Sequence, residues 1–308
     1  MRFLLLLLVS LPAIAQQPEA RWISQVAYDE ENKQVLLYGG AAKDTIFSDL
    51  WALKNKKWIK LGDHGLPARL KAAFTYDPGR RCAVLFGGSG DQPLMDETWE
   101  WDGHQWRQVH IPGPSPRNHP MAAYDRVNQT IVLFGGVGNS GLLSDTWVYN
   151  GKQWTQKDKA GPTNCLPHGM FYDEQRQKVI MITLASAPLT TDPKHTLNEM
   201  WEWSGHGWNR IPYTVMTSSA SLQALASFNK NGIVLFDGDD STDNRGKTWI
   251  FDGRKWYAAF LQGPSARVGH SMIFDKALHR TLLFGGSDRK NFFGDLWEWN
   301  GKKWIQVK

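Results

Sequence analysis

The stretch TLLFGGSDRKNFFGDLWEWNGKKW, residues 281–304, determines the fold because the chain contains six variants of it. It holds an apolar run, a Gly-Gly pair, a polar loop and two tryptophans seven residues apart. The first tryptophan of each copy is Trp51, Trp99, Trp147, Trp201, Trp249 or Trp297, and the second is Trp58, Trp106, Trp154, Trp208, Trp256 or Trp304. Successive copies are separated by 48, 48, 54, 48 and 48 residues. A period of this size indicates an array of similar structural units.

Each copy contains four short apolar runs separated by turn residues, which is the pattern of four β-strands. In the third copy these runs are MAAYD, TIVLFGG, DTWVYN and KQWTQK. Asn-Gly or Asp-Gly lies between the last two runs of four copies, and such pairs favour the tight turn of a β-hairpin. A four-stranded sheet has two faces to bury, so neighbouring copies must cover each other. We therefore predict an all-β, six-bladed β-propeller built from four-stranded antiparallel blades.

The order of features in each copy resembles the Kelch repeat: an apolar run ending in Gly-Gly, then a polar loop, then two aromatics seven residues apart. The resemblance covers all six copies, with Trp at the first aromatic position where the Kelch pattern has Tyr. This variant is more similar to secreted bacterial Kelch-repeat proteins than to animal adaptor domains.

The copies divide the chain into blades at residues 21–68, 69–116, 117–164, 165–216, 217–266 and 267–308. Residues 21–308 thus supply six complete sets of strands with none left over. We therefore expect the ring to close without an exchanged strand, by packing of blade one against blade six.

The first fifteen residues, MRFLLLLLVSLPAIA, have one basic residue, an apolar core and an Ala-Ile-Ala end. This is the composition of a secretory signal peptide, and the apolar run is far shorter than the ~20 residues that cross a membrane. We predict cleavage after Ala15, a linker over residues 16–20, and a secreted or periplasmic protein with no membrane span.

Charge and cysteine usage exclude other classes of protein. The formal net charge is +5, and the basic residues are scattered except for small groups in turns, such as Lys56-Lys57, Arg254-Lys255 and Lys302-Lys303. Nucleic-acid binding requires a continuous basic stripe with aromatic platforms, so we expect no nucleic-acid partner. Cys82 begins the second strand of blade two and Cys165 begins the first strand of blade four, on the opposite face of the ring and two blades away. A disulfide needs Cα atoms within about 7 Å. We expect two separate thiols.

Motifs of common enzyme classes are missing from the sequence, including the serine-hydrolase elbow, the zinc-protease helix and the Walker loop. The acidic segment DGDDSTDNRG, residues 237–246, lacks the glycine and distal glutamate of a calcium loop. We interpret it as a solvated loop and expect no metal and no cofactor. By analogy of fold, two Kelch-type enzymes are similar: copper galactose oxidases, whose Tyr-His dipeptide this chain lacks, and the periplasmic sialic acid mutarotase.

The candidate site emerges where the copies disagree. Seven residues before the aromatic that begins each copy, the chain reads Arg21, Arg69, Arg117, Cys165, Ser221 and Arg267. Two residues before the first tryptophan it reads Asp49, Glu97, Asp145, Glu199, Lys247 and Asp295, so every blade with the arginine also has an acid. One interpretation is a structural ion pair between loop and strand. The other is a ring of guanidinium groups suited to a planar anion.

The second interpretation matches the Kelch adaptor domains, in which arginines at the start of first strands capture acidic peptides. The resemblance then implies a ligand site formed by Arg69, Arg117 and Arg267 together with His119, His168 and His270. The loop of residues 185–198 in blade four carries six extra residues on the same face. Insertions on one face of a repeat protein often mark its binding face.

These observations favour a monomeric, secreted or periplasmic Kelch-repeat binding protein whose loop face presents a surface for a carbohydrate or protein ligand. The alternative is an enzyme, a sugar mutarotase or isomerase that resembles the Kelch sialic acid mutarotase.

The signal-peptide hypothesis predicts the N-terminus of the mature protein. Mass spectrometry of the protein from the exported fraction of its native cells should find Gln16 at or near the N-terminus. Intact Met1 on protein recovered from the cytosol would contradict export.

Overall fold

The computed structural model describes residues 17–62, 65–91, 93–158, 161–185, 195–218, 225–228, 232–237, 247–259 and 262–308. The predicted signal peptide, Ser221, residues 238–246 of the acidic segment and most of the long blade-four loop lie outside these ranges. The described residues form strands and turns, with no helix among them.

The described residues form six four-stranded antiparallel sheets, each made of strands that are consecutive in sequence, and a hairpin of two short strands is inserted within blade one. Blade one contains β1 (Gln25–Asp29), β2 (Gln34–Tyr38), β5 (Leu50–Lys54) and β6 (Lys57–Gly62), and its loop holds β3 (Ala41–Ala42) and β4 (Thr45–Ile46). Blade two contains β7 (Ala73–Asp77), β8 (Cys82–Phe86), β9 (Thr98–Trp101) and β10 (Trp106–Val109). Blade three contains β11 (Met121–Asp125), β12 (Thr130–Gly138), β13 (Gly141–Tyr149) and β14 (Trp154–Asp158).

The second half of the chain repeats this plan. Blade four contains β15 (Cys165–Asp173), β16 (Lys178–Ala185), β17 (His195–Trp203) and β18 (Trp208–Ser218). Blade five contains β19 (Leu225–Phe228), β20 (Gly232–Asp237), β21 (Lys247–Phe251) and β22 (Trp256–Ala259). Blade six contains β23 (Ser271–Asp275), β24 (Arg280–Phe284), β25 (Leu296–Trp299) and β26 (Trp304–Val307). The predicted all-β, six-bladed propeller is confirmed.

The first strands of the blades line a central channel, and each contacts the first strands of its two neighbours. Strand pairing fixes the two faces of the ring. The start of β1, Gln25, pairs with Tyr38 at the end of β2, which pairs with Leu50 at the start of β5. Loops between second and third strands therefore lie on the face where first strands begin, which we call the loop face. The turns between first and second strands and between third and fourth strands lie on the opposite face, the turn face.

Ring closure uses the same contact as the junctions between other blades. Within the ring, the backbone N–H of Gly88 donates to the Arg117 carbonyl, and the N–H of Arg117 donates to Met95. At the closure, Gly286 donates to Arg21 and Arg21 to Phe293 in the same way. Because blade one and blade six each contain four strands of their own, the expected closure without an exchanged strand is confirmed.

At a greater distance from the channel, neighbouring blades are joined by packing of tryptophan side chains. The second tryptophan of a blade meets the aromatic residue that precedes Gly-Gly in the previous blade, as Trp154 meets Phe86 with ring centroids 5.3 Å apart. The indole N–H of Trp154 also donates to Thr98 Oγ1 of that blade, at 2.9 Å. Trp208 and Trp304 repeat both contacts at later junctions along the chain. A repeated position thus carries much of the apolar burial between blades.

The two cysteines are buried at the starts of β8 and β15 and are not bonded to each other. The expectation of two separate thiols is confirmed. Burial raises the pKa of the Cys82 thiol to about 12 and that of Cys165 to about 11. Both thiols therefore stay protonated and unreactive near neutral pH.

Gly87 illustrates why the Gly-Gly pair recurs, and substitution tests the reason. Its φ is +70°, and a Cβ atom there would lie 2.8 Å from the Arg117 carbonyl oxygen of the next blade. Gly65 has φ +71° but open space around a Cβ. We expect Gly65→Ala to cost about 1–2 kcal/mol of unfolding free energy, from backbone strain alone. Gly87→Ala should cost clearly more in thermal or denaturant unfolding, since the blade junction must also open. Equal losses would contradict the close approach.

Candidate functional site

In four of the blades, a buried arginine binds an acid and a carbonyl of its own blade. The Arg117 guanidinium donates two hydrogen bonds to the Asp145 carboxylate, at 2.6 and 2.9 Å, and a third to the Gly135 carbonyl at 3.0 Å. The same carboxylate accepts the indole N–H of Trp147 at 2.7 Å. Equivalent ion pairs form at Arg21–Asp49, Arg69–Glu97 and Arg267–Asp295. The structural ion pair that the sequence suggested is confirmed in the four blades that carry the arginine.

The acids of these pairs are held ionised. Burial acts to raise the pKa of Asp145, but hydrogen bonds from Arg117 and Trp147 and the charge of Arg117 outweigh it and hold the pKa below its usual range. The pKa of Glu97 is lowered in the same way by Trp99 and Arg69, against the effect of burial. An ionised acid is what keeps the guanidinium compensated inside the protein.

The arginines present no accessible guanidinium to a ligand in this structure. The side chains of Arg69 and Arg117 are fully buried, and that of Arg267 is 1 % exposed. Their side chains lie along the blade junctions, whereas the cavity on the loop face is lined by residues two to five positions further along the chain. The structure therefore separates the predicted arginines from the predicted histidines.

The three predicted histidines do come together, in a cavity of about 190 Å³ at the loop-face end of the channel. His119 precedes β11, His168 lies within β15, and His270 immediately precedes β23. His168 and His270 are almost fully buried. The backbone N–H of His119 donates to the Lys71 carbonyl at 2.8 Å, which places the side chains of neighbouring blades around one mouth.

Burial keeps the imidazoles neutral. It lowers the pKa of His168 to about 4. Burial also lowers the pKa of His119 to about 4, and the charge of Lys71 acts in the same direction. Burial lowers the pKa of His270 to about 3, the Arg267 charge acts in the same direction, and a contact with the Arg267 backbone acts against both. Neutral imidazoles can donate one hydrogen bond and accept another.

Lys71, Gln25, Ser24 and Ser271 are the other polar residues of the lining, and comparison of the repeats in sequence had missed all four. Lys71 is half-buried, and burial lowers its pKa. No carboxylate of the described residues lines the cavity or pairs with the Lys71 ammonium group. Gln25 Oε1, His119 Nε2 and His270 Nε2 are buried without a hydrogen-bond partner among the described residues.

Comparison of the repeats at the position of Lys71 could have identified it as a candidate site residue. The position two residues after each arginine holds Ile23, Lys71, His119 and Gly269, and each adopts a positive φ between 54° and 65°. A left-handed backbone at the same place in four blades turns these residues toward one mouth. The position varies in chemistry while its backbone is constant, which is the pattern expected of a site built on a repeated scaffold.

The turn-face end of the channel is wider, and the charged side chains at its centre form ion pairs with one another. A cavity of about 850 Å³ there is lined by the aromatics that end the first strands. Arg126 and Lys276 each contact both Glu30 and Glu174, so four charges of alternating sign join blades one, three, four and six. This network pairs each of its cations with acids, in contrast to Lys71 at the other end.

Within the described ranges, no three His, Cys, Asp or Glu side chains are grouped to hold a metal ion. The described part of the chain also contains no helix long and apolar enough to cross a membrane.

Comparison with known proteins supports the propeller fold but identifies no family or function. No family model matches the chain, and no curated protein is significantly similar to it in sequence. Among solved structures, one titled "Structure of YjhT" superposes with a TM-score of 0.68 at 13 % sequence identity, over 95 % of this chain and 99 % of that one. At this identity the likeness shows a shared propeller fold, which hosts many unrelated functions.

The buried ion pairs predict a large difference between two arginine substitutions. Arg117→Ala leaves the partly buried Asp145 carboxylate uncompensated, so we expect a loss of roughly 3–5 kcal/mol in unfolding free energy. Arg210 pairs with Glu199 at 2.8 Å but its side chain is 52 % exposed, so Arg210→Ala should cost about 0–1 kcal/mol. Denaturant unfolding of both variants measures the difference. Similar small losses would show that the buried pair is not structural.

Proposed function

We propose that the protein binds a small, hydroxyl-rich ligand that carries one negative charge, a carboxylated sugar, in the histidine-lined cavity at the loop face. The observation that supports this most directly is Lys71. Its ammonium group is a partly desolvated cation in a cavity whose described lining contains no acid. A carboxylate there gains a charge-assisted hydrogen bond in a site of low dielectric.

Unpartnered polar atoms support the hydroxyl-rich part of the proposal. A buried donor or acceptor without a partner costs roughly 1–3 kcal/mol. Gln25 Oε1, His119 Nε2 and His270 Nε2 are three such atoms around one cavity. Sugar hydroxyls both donate and accept, so they satisfy a neutral imidazole in either tautomer and an amide oxygen alike.

Cavity size favours a monosaccharide over a protein segment. Its volume of about 190 Å³ is below the roughly 300–1,000 Å³ of typical ligand pockets. A small ring with a carboxylate fills such a space more readily than a peptide with its backbone and side chains.

A sugar mutarotase is the second candidate, and the pair formed by His119 and Lys71 favours it. Mutarotation opens the hemiacetal ring: a base takes the proton of the anomeric hydroxyl while an acid gives a proton to the ring oxygen. Recyclisation returns both protons. Neutral His119 can accept a proton, and Lys71, which lines the same cavity and whose backbone carbonyl accepts the His119 N–H, carries an ammonium group that can donate one.

Export and family membership are part of the same proposal. The apolar N-terminal segment of residues 1–15 and the six Gly-Gly and Trp copies support an exported Kelch-type protein. A free sugar acid is a ligand that a protein outside the cytoplasm can encounter, and the ring of six blades closes without a partner chain.

Calorimetric titration with glucuronate and glucose tests the binding proposal, because the two sugars differ by a carboxylate at C6. We expect glucuronate to bind at least about tenfold more tightly, and Lys71→Gln to remove that preference, since loss of a buried charged contact costs more than the ~1.4 kcal/mol of a tenfold change. Lys152→Gln, at an exposed turn, is the matched control and should bind as the wild type does. Equal affinity for both sugars, or no binding of any carboxylated sugar in a wider panel, would contradict the proposal.

Anomer exchange separates the two candidate functions. Saturation-transfer NMR on the bound sugar should show exchange accelerated by the wild type and slowed by His119→Gln if the protein is a mutarotase. Binding with an exchange rate equal to that of buffer would assign a binding role alone.

A further inference from the structure

Three consecutive blades differ from the other three at their outer strands. The turn between the third and fourth strands reads Lys56-Lys57 in blade one, Arg254-Lys255 in blade five and Lys302-Lys303 in blade six. The corresponding pairs in blades two, three and four are His104-Gln105, Lys152-Gln153 and His206-Gly207. Since blades five, six and one are neighbours in the ring, the basic turns form one continuous arc on the turn face. In the sequence alone these groups are separate, and each resembles an ordinary solvated edge.

An exposed apolar residue accompanies each basic turn. The residue after the second tryptophan is Ile59, Tyr257 or Ile305 in blades one, five and six, and these side chains are 49, 43 and 36 % exposed. The same position holds Arg107, Thr155 and Asn209 in blades two, three and four. Single exposed apolar residues are common on protein surfaces. Their restriction to the blades with basic turns is what requires an explanation.

Most of the cations in this arc are available to a partner. Lys56 pairs with Glu298 at 2.8 Å, whereas Lys57, Lys255, Lys302 and Lys303 are exposed and pair with no carboxylate of the described residues. Asp252 is the acid of the blade-five turn, and its carboxylate accepts the backbone N–H groups of Arg254 and Lys255. The arc therefore keeps a strong positive excess.

We propose that this arc, the turn-face rim of blades five, six and one, docks on the surface of an anionic phospholipid bilayer. Lysine and arginine side chains near a bilayer are attracted to anionic headgroups. Ile59, Tyr257 and Ile305 then enter the interfacial region, where apolar side chains and the amphipathic ring of tyrosine are stable. A soluble polyanion explains the cations but gives the exposed isoleucines nothing to bury against. Docking there leaves the cavity on the loop face open to solvent.

Vesicle co-sedimentation of the purified protein tests the proposal. We expect binding to mixed phosphatidylglycerol–phosphatidylcholine vesicles that weakens as salt is added, and little binding to pure phosphatidylcholine. The double variant Lys302→Gln/Lys303→Gln should partition roughly 30-fold more weakly at low salt, and Ile305→Thr roughly fivefold more weakly. All these side chains are exposed, so thermal unfolding should be unchanged and the variants remain folded.

Control substitutions on the same face, but outside the arc, test whether binding depends on where the lysines and apolar residues lie. Lys152→Gln alters the turn of blade three, and Val127→Thr alters an apolar residue that is 62 % exposed on the turn face of that blade. Both should partition as the wild type does. Equal binding to the two kinds of vesicle, or no binding at all, would overturn the proposal. If the double glutamine variant loses binding while Ile305→Thr binds as the wild type does, the surface is purely electrostatic and suited to soluble polyanions, and membrane docking is excluded.

Discussion

The buried arginine at the start of four of the six repeats is the interaction on which the ring is built. Its side chain holds its own blade, because the guanidinium of Arg117 binds Asp145 and the carbonyl of Gly135. Its backbone is held by the preceding blade, through Gly88 and Met95. One residue thus belongs to two blades, and the same arrangement at Arg21 closes the ring. A repeat protein is stabilised mainly through its nearest-neighbour interfaces, and here a desolvated charge fixes their geometry. Such a charge tolerates no loss of its partner.

This constraint also explains where variation is permitted. The residues two and three positions after the arginine follow a fixed left-handed turn and face the channel mouth. Their side chains do not take part in the ion pairs, so lysine, histidine, isoleucine and glycine are accommodated there by the same backbone. A rigid scaffold with a variable mouth is a common basis for binding sites. The cavity around Lys71 and His119 results from this separation of roles.

Blade four lacks the arginine, and its acid has a different partner. Cys165 occupies the arginine position, and its thiol lies 3.5 Å from the Pro162 carbonyl. Glu199, the acid left without that arginine, pairs instead with Arg210 on β18, and Trp201 Nε1 is buried with no hydrogen-bond partner among the described residues. The ion pair has moved from the blade junction to the outer side of the sheet. Blade four therefore lacks the buried ion pair that blades one, two, three and six have, and it also carries the long insertion on the loop face.

The number of blades, their strand order, the closure of the ring and the arginine–acid pairing could all be predicted from the amino-acid sequence. They depend on a period of 48 residues and on residues that recur at fixed positions, since a repeated pattern reports a repeated local environment. Two other properties arise only when the blades pack together. Burial of Arg69, Arg117 and Arg267 depends on how deeply the preceding blade covers them, which the spacing of residues in the sequence does not record. The gathering of Lys71, Gln25 and His270 around one mouth, like the arc of Lys57, Lys255 and Lys303, depends on which blades become neighbours when the ring closes. Residues about 50 to 250 positions apart in the sequence share a surface only because a closed ring of sheets places them side by side.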